Sequence, residues 1–184
     1  MPERRRRKGS RQPTSAGPSP DDALEINGWT IFAHPLFLDQ IEKLIGGAEE
    51  ERARATRPGP TANLLAHILD LAFAKIPRDP GAPEFRHGGT LGDDRRHWFR
   101  GKTGNGRYRL FYRFQSAARI IVYAWVNDEQ SLRTYGSSTD AYAVFARMLD
   151  AGNPPDDWTD LEKAARSRSA IGRLRSAARR KGKP

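Results

Sequence analysis

Cysteine is absent from the 184 residues, so neither a disulfide framework nor a thiolate metal site is available to this chain. Histidine is scarce. His34, His67, His87 and His97 fall in different predicted elements with no short His/Asp/Glu motif around them, which leaves metal catalysis little support. His67, inside an apolar helical pattern, reads as a core or boundary residue. No apolar run approaches membrane-spanning length, and MPERRRRKGS at the N-terminus has no apolar segment behind its charges. The expectation is a soluble, cytoplasmic protein without a membrane partner. Nucleotide cradles are missing as well: GNGRYR lacks the Lys-Ser/Thr pair of a phosphate-binding loop, GGTLGDD matches no better, and no nucleophilic triad leaves a trace.

What the chain has in excess is positive charge, +10 at neutral pH, distributed unevenly. Residues 1–20 carry six Arg/Lys against one Glu, and residues 163–184 carry nine against no acid. Between the ends, residues 85–136 hold ten basic and four acidic side chains, while residues 21–84 and 137–162 each come to −5. A basic segment flanked by acidic ones suggests a partner that presents phosphates to one face. Scattered arginines more often serve only to keep a sheet solvated. Here they alternate with aromatics in GRYRLFYRF, where a strand puts Tyr108, Leu110, Tyr112 and Phe114 on one side and Arg107, Arg109, Phe111 and Arg113 on the other. The planar guanidinium fork is well matched to phosphate oxygens.

The elements follow from pattern. EINGWTIFA reads as a short extended run, and His34-Pro35 opens a helix whose stripe is Phe37, Ile41, Leu44, Ile45 and Ala48, weakened at Gly46-Gly47. After the RPGP turn, a second helix turns Leu65, Ile68, Leu69, Ala72 and Ile76 inward and stops at Pro77. Residues 77–94 form a loop. Trp98, Phe99 and Arg100 begin a strand, Gly104-Asn105-Gly106 turn a hairpin, and RIIVYAW is a central strand. Thr139 and Asp140 start a helix bearing Tyr142, Phe145, Met148 and Leu149, and another bears Trp158 and Leu161. The order predicts an α+β fold with helices against one face of an antiparallel sheet. The predicted organisation is a disordered basic tail at 1–22, one domain at 23–162, and a basic C-terminal tail at 163–184 that is disordered or partly helical.

Arg, Lys, His and Tyr around a basic sheet suffice for metal-free RNA cleavage, in which the 2′-hydroxyl attacks the adjacent phosphodiester. Arginines stabilise the charge on the phosphorane, and a His or Tyr moves protons. No cofactor is called for.

NGWTIFAHPLF, EFRHGGTLG, WFRGK, GRYRLFYRF and AWVNDEQSLRTYGSSTDAYAVFARMLDAGNPPDDW, in that order, resemble the YhaV family of bacterial type II toxins across residues 25 to 161. The family is similar to the RelE-like toxins, which implies a small antiparallel sheet packed by N-terminal and C-terminal helices. The resemblance further implies an endoribonuclease that cuts mRNA, either in association with the ribosome or free of it. A PrlF-type antitoxin would hold it inactive, and operator DNA would be bound only by the toxin–antitoxin complex. Carried onto this chain, it implies catalytic roles for His87 as proton carrier, Arg100 and Arg109 on the scissile phosphate, and Tyr135 as acid or base-stacking group. RNA contacts fall to Arg86, Lys102, Arg107, Arg113 and Arg133. Asp128 and Glu129 are expected to fix their loop or pair with arginines rather than catalyse, and His97 departs from the family pattern. Two alternatives remain: a non-catalytic nucleic-acid-binding module, and a same-fold toxin with another target such as DNA gyrase.

Overall fold

The computed structural model describes residues 23–55 and 57–181; the tail predicted at 1–22 lies outside them. Its elements are β1 (Leu24–Ile26), β2 (Trp29–Ala33), α1 (Pro35–Arg54), α2 (Pro60–Asp70), β3 (Phe99–Thr103), β4 (Tyr108–Gln115), β5 (Ile120–Val126), α3 (Ala141–Asp150), α4 (Trp158–Ala165) and α5 (Arg168–Arg180). The fold is α+β, as the element order requires. Two details of the sheet differ from expectation. The strand order is β1-β2-β5-β4-β3, and β2 runs parallel to β5, so the sheet is mixed rather than wholly antiparallel. Helices also cover both faces rather than one. The reason lies in β5, whose seven residues are all buried: an apolar run without alternation has to be shielded on either side.

Local chemistry explains most element ends. Asn27 and Gly28 take φ of 52° and 72°, a two-residue turn with both centres left-handed that folds β1 back on β2. His34 caps α1, its Nδ1 accepting from the Leu36 amide at 3.3 Å, with Pro35 in the first turn. Gly46-Gly47 does not interrupt this helix. A Cβ at Gly47 would stand 3.0 Å from the Thr61 methyl, so the glycine admits α2 at close range. Glu51 of α1 reaches across to cap α2, accepting from the Thr61 and Ala62 amides at 2.9 and 3.0 Å.

One core lies between α1, α2 and the sheet face carrying Ile31, Leu110, Tyr112 and Tyr123; the other lies between α3, α4 and the face carrying Trp98, Phe111 and Trp125. In the second, Phe145 of α3 stacks on Phe111 with centroids 4.1 Å apart and lies parallel to Trp125. Helix α5 falls within the segment expected to be a disordered or partly helical tail. Its Ala170, Leu174 and Ala177 join the first core and its Ile171 the second. Arg173 pairs with Asp39 and Glu42, and Arg180 with Glu49, so basic α5 is held along acidic α1.

Candidate active site

Alternation along β3 places Arg100 and Lys102 on one face of the sheet, the face whose core also takes Trp98 from just before the strand. Lys102 stands directly opposite Arg109 in the β3–β4 register, and Arg100 opposite Phe111. This face is therefore aromatic where α3 covers it and cationic toward the hairpin. Three positive side chains on two neighbouring strands repel one another, and an anion would relieve that repulsion.

The start of α3 completes the cluster. Asp140, buried, caps the helix by accepting from the Tyr142 amide at 3.0 Å, takes the Thr134 amide at 2.6 Å, and pairs with the Arg133 guanidinium. Burial pushes its carboxyl up, yet the bonds from Arg133, Thr134 and Tyr142 outweigh burial and hold it below the ordinary value. Capping in turn aims Tyr142 at the cations. Its hydroxyl accepts from Arg100 Nε at 2.8 Å, and the guanidiniums of Arg109 and Arg133 lie 5.8 and 4.9 Å from its ring centre. Arg133 also lies 3.7 Å from the ring centre of Tyr135, so it is held between two tyrosines.

Arg109 is 5% exposed. Its Nη1 donates to the carbonyls of Gly106 and Tyr108 at 2.7 and 3.0 Å, while its Nε is buried with no hydrogen-bond partner among the described residues. A stranded donor of this kind costs about 1–3 kcal/mol, a cost that a functional site tolerates. Arg100 ties the sheet to the preceding loop through the Glu84 carbonyl. Lys102 is exposed at the rim, and its ammonium is made more acidic by Arg100 first, then by partial burial and by Arg109 and Arg133.

The structure thus gathers Arg100, Lys102, Arg109, Arg133 and Tyr135. Of the others, His87 stays within the electrostatic reach of Arg100, while Arg86, Arg107 and Arg113 lie apart. The ring of His87 is buried, with Nε2 at 2.9 Å from the Arg95 carbonyl and Nδ1 accepting from the Leu91 amide at 3.5 Å, so both ring nitrogens brace its loop. Arg86 bridges to Phe99 and lies over its ring, on the side of β3 opposite Arg100. Arg107 is exposed beside the hairpin turn. Arg113 lies over Trp98 and Trp158 and donates to the Asp156 carbonyl, at the far end of the aromatic block. The open row of three guanidiniums expected on β4 is consequently not formed, because α3 and α4 pack on the middle of that face. Asp128 caps a short turn at Glu129–Ser131 and so fixes its loop as expected. His97 bonds Asp156 at 2.8 Å, away from the cluster.

Tyr142 and Asp140 are members of the cluster that sequence reasoning assigned to helix packing and capping. The available signal was position: a residue two places after an N-cap lies in the first turn, at the helix end where loop side chains converge.

Residues 31–166 match the family described as a toxin with endonuclease activity, of a toxin–antitoxin system. The ribonuclease toxin YhaV of Escherichia coli strain K12 is 41% identical over 149 residues, spanning 78% of this chain and 96% of its own length. Toxin YhaV of Escherichia coli O157:H7 shows the same identity and coverage, and toxin YhaV of Escherichia coli O6:H1 is 42% identical over 147 residues, 77% of this chain and 94% of its own. No solved structure matches the chain.

Proposed function

Because the chain belongs to the YhaV family of toxin–antitoxin endonucleases, we propose that it is an endoribonuclease that cleaves mRNA without a metal, at the cluster formed by Arg100, Lys102 and Arg109. The observation that carries this reading is the convergence of those three cations on one sheet face, with the buried Nε of Arg109 unpartnered among the described residues. In the reaction, the 2′-hydroxyl gives up its proton to solvent water as its oxygen bonds to phosphorus, and the bond from phosphorus to the 5′-oxygen breaks, leaving a 2′,3′-cyclic phosphate and a 5′-hydroxyl. Arg100 and Arg109 take the charge that accumulates on the non-bridging oxygens. Lys102, acidified by its cationic neighbours, gives the departing 5′-oxygen its proton. His87 supports the loop instead of moving protons.

Membership of a toxin–antitoxin family carries an antitoxin partner with it. The finer assignments are part of the proposal: an antitoxin of PrlF type, operator DNA bound only by the complex, and mRNA met on the ribosome. Cutting by purified full-length protein in the presence of chelator is the expected result, with a substrate carrying 2′-deoxyribose at the cut left intact. Lys102→Met, an exposed substitution, is expected to lower kcat by roughly a hundredfold, as removal of a proton donor does. RNA binding without cleavage would favour the non-catalytic nucleic-acid module.

A further inference from the structure

We propose that Tyr142 is a positioning residue of the site: its phenolic oxygen holds the Arg100 guanidinium at the angle from which the remaining terminal nitrogen meets a non-bridging oxygen of the scissile phosphate. This rests on the endoribonuclease reading above and assigns one more residue to that same site.

An arginine side chain is long and flexible, and on an open strand its fork sweeps a wide volume. Arg100 does not. It is 8% exposed and is gripped from two elements, its Nε donating to the Tyr142 hydroxyl of α3 at 2.8 Å and its Nη1 to the Glu84 carbonyl of the loop before β3. Two bonds on different nitrogens of a planar group fix both its place and its tilt. Nη2 takes part in neither bond and is the nitrogen left for a phosphate oxygen.

The kind of acceptor matters as much as its direction. Arg133 is paired with the Asp140 carboxylate, which answers its charge. A hydroxyl and a carbonyl bear no net charge, so they fix Arg100 and leave its positive charge undiminished. That charge is felt at Lys102, as is the charge of Arg109, and without a fixed partner Arg100 would turn away from both.

Tyr142 is itself immobile. Its amide is bonded to Asp140 at 3.0 Å, its ring meets Phe111 edge to face with centroids 5.4 Å apart, and the Arg133 guanidinium lies over it. A phenylalanine would keep each of those contacts, since they use the backbone or the ring. What the hydroxyl adds among the described residues is the bond to Arg100.

The test compares full-length wild type with Tyr142→Phe on an RNA that wild type cuts, under conditions where circular dichroism shows both folded. Tyr142→Phe should lower kcat by roughly tenfold to a hundredfold, as a small misplacement of a reacting group does, with KM little changed. In an Arg100→Ala background the same substitution should bring no further loss, because the group it aims is gone. Sites acting independently would instead multiply their losses. The Nε–H proton resonance of Arg100, assigned by its disappearance in Arg100→Lys, should exchange slowly with solvent in wild type and fast in Tyr142→Phe. An undiminished kcat in Tyr142→Phe would overturn the assignment, as would equal losses in the two backgrounds, or a wild-type Nε–H that exchanges as fast as the variant's. Should wild-type protein cut no RNA at all, the endoribonuclease reading itself falls and the positioning role with it. Cutting by wild type that Tyr142→Phe matches removes the positioning role alone.

Discussion

At His87 the imidazole is spent on backbone groups, so its substitution should be felt as stability. His87→Ala is expected to destabilise the fold by about 1–3 kcal/mol in urea unfolding, because two buried hydrogen bonds are lost, with cleavage per folded molecule within a few-fold of wild type. Burial lowers its pKa, against the Arg95 carbonyl, which raises it, and with a further push down from Arg100. A depressed imidazole contributes stability that is full above its unfolded value and lost as pH falls through the folded one, so His87→Ala should flatten the acid side of the stability profile below about pH 6.5. Lys102 behaves in the opposite sense for activity. As a proton donor it must be charged, and its neighbours lower its pKa, so the alkaline limb of the kcat profile should lie below the ordinary lysine value. Lys102→Met should remove that limb. The cation types were legible in WFRGK and GRYRLF, whereas the bonds that engage His87 were not, because Arg95 and Leu91 meet it only through the loop's folded path.

At the level of elements, the site depends on how closely β3 lies under the turn that follows α2. A Cβ on Gly101 would come within 2.6–2.9 Å of three Leu71 side-chain atoms, and Leu71 is itself buried. Gly101→Ala should therefore destabilise the protein by about 1–3 kcal/mol in thermal or urea unfolding. Because Arg100 and Lys102 flank the glycine, kcat should fall in the same variant even under conditions where it remains folded. Leu65, Ile68 and Leu69 of α2 were legible from a period of 3.6; Ala72 and Ile76 are buried too, but beyond Asp70 the chain continues as a π-helical turn, Leu71–Lys75, and a 3₁₀ turn, Ile76–Arg78, rather than as one helix to Pro77. The fate of Arg113 was not. Period-two alternation assigns it a face, but only the packing of Trp98 and Trp158 shows that this end of the face is closed.

At the scale of the whole molecule, α5 lies beyond the residues that match the family, yet it belongs to both cores. Leu174 is 1% exposed, so Leu174→Ala should cost about 2–5 kcal/mol, read as a lower urea midpoint with an unchanged slope. A tail merely resting on the surface would show almost no change. Composition left this segment open, since nine basic side chains and no acid argue for disorder when read alone. The acids that balance them, Asp39, Glu42 and Glu49, sit more than a hundred positions away on α1.

Outside α5, most local order was settled within the chain itself: which stretches are helix or strand, where turns fall, the α+β class, and which basic and aromatic residues are available for phosphate chemistry. Those features depend on neighbours a few positions apart. Which of them act together was decided only by tertiary packing. Arg100, Lys102 and Arg109 meet through strand register, and Arg133, Tyr135 and Tyr142 join them because Asp140 caps α3 and grips Arg133 at once. Contacts between segments distant in the chain follow from the burial of two separate cores, and no local period encodes them.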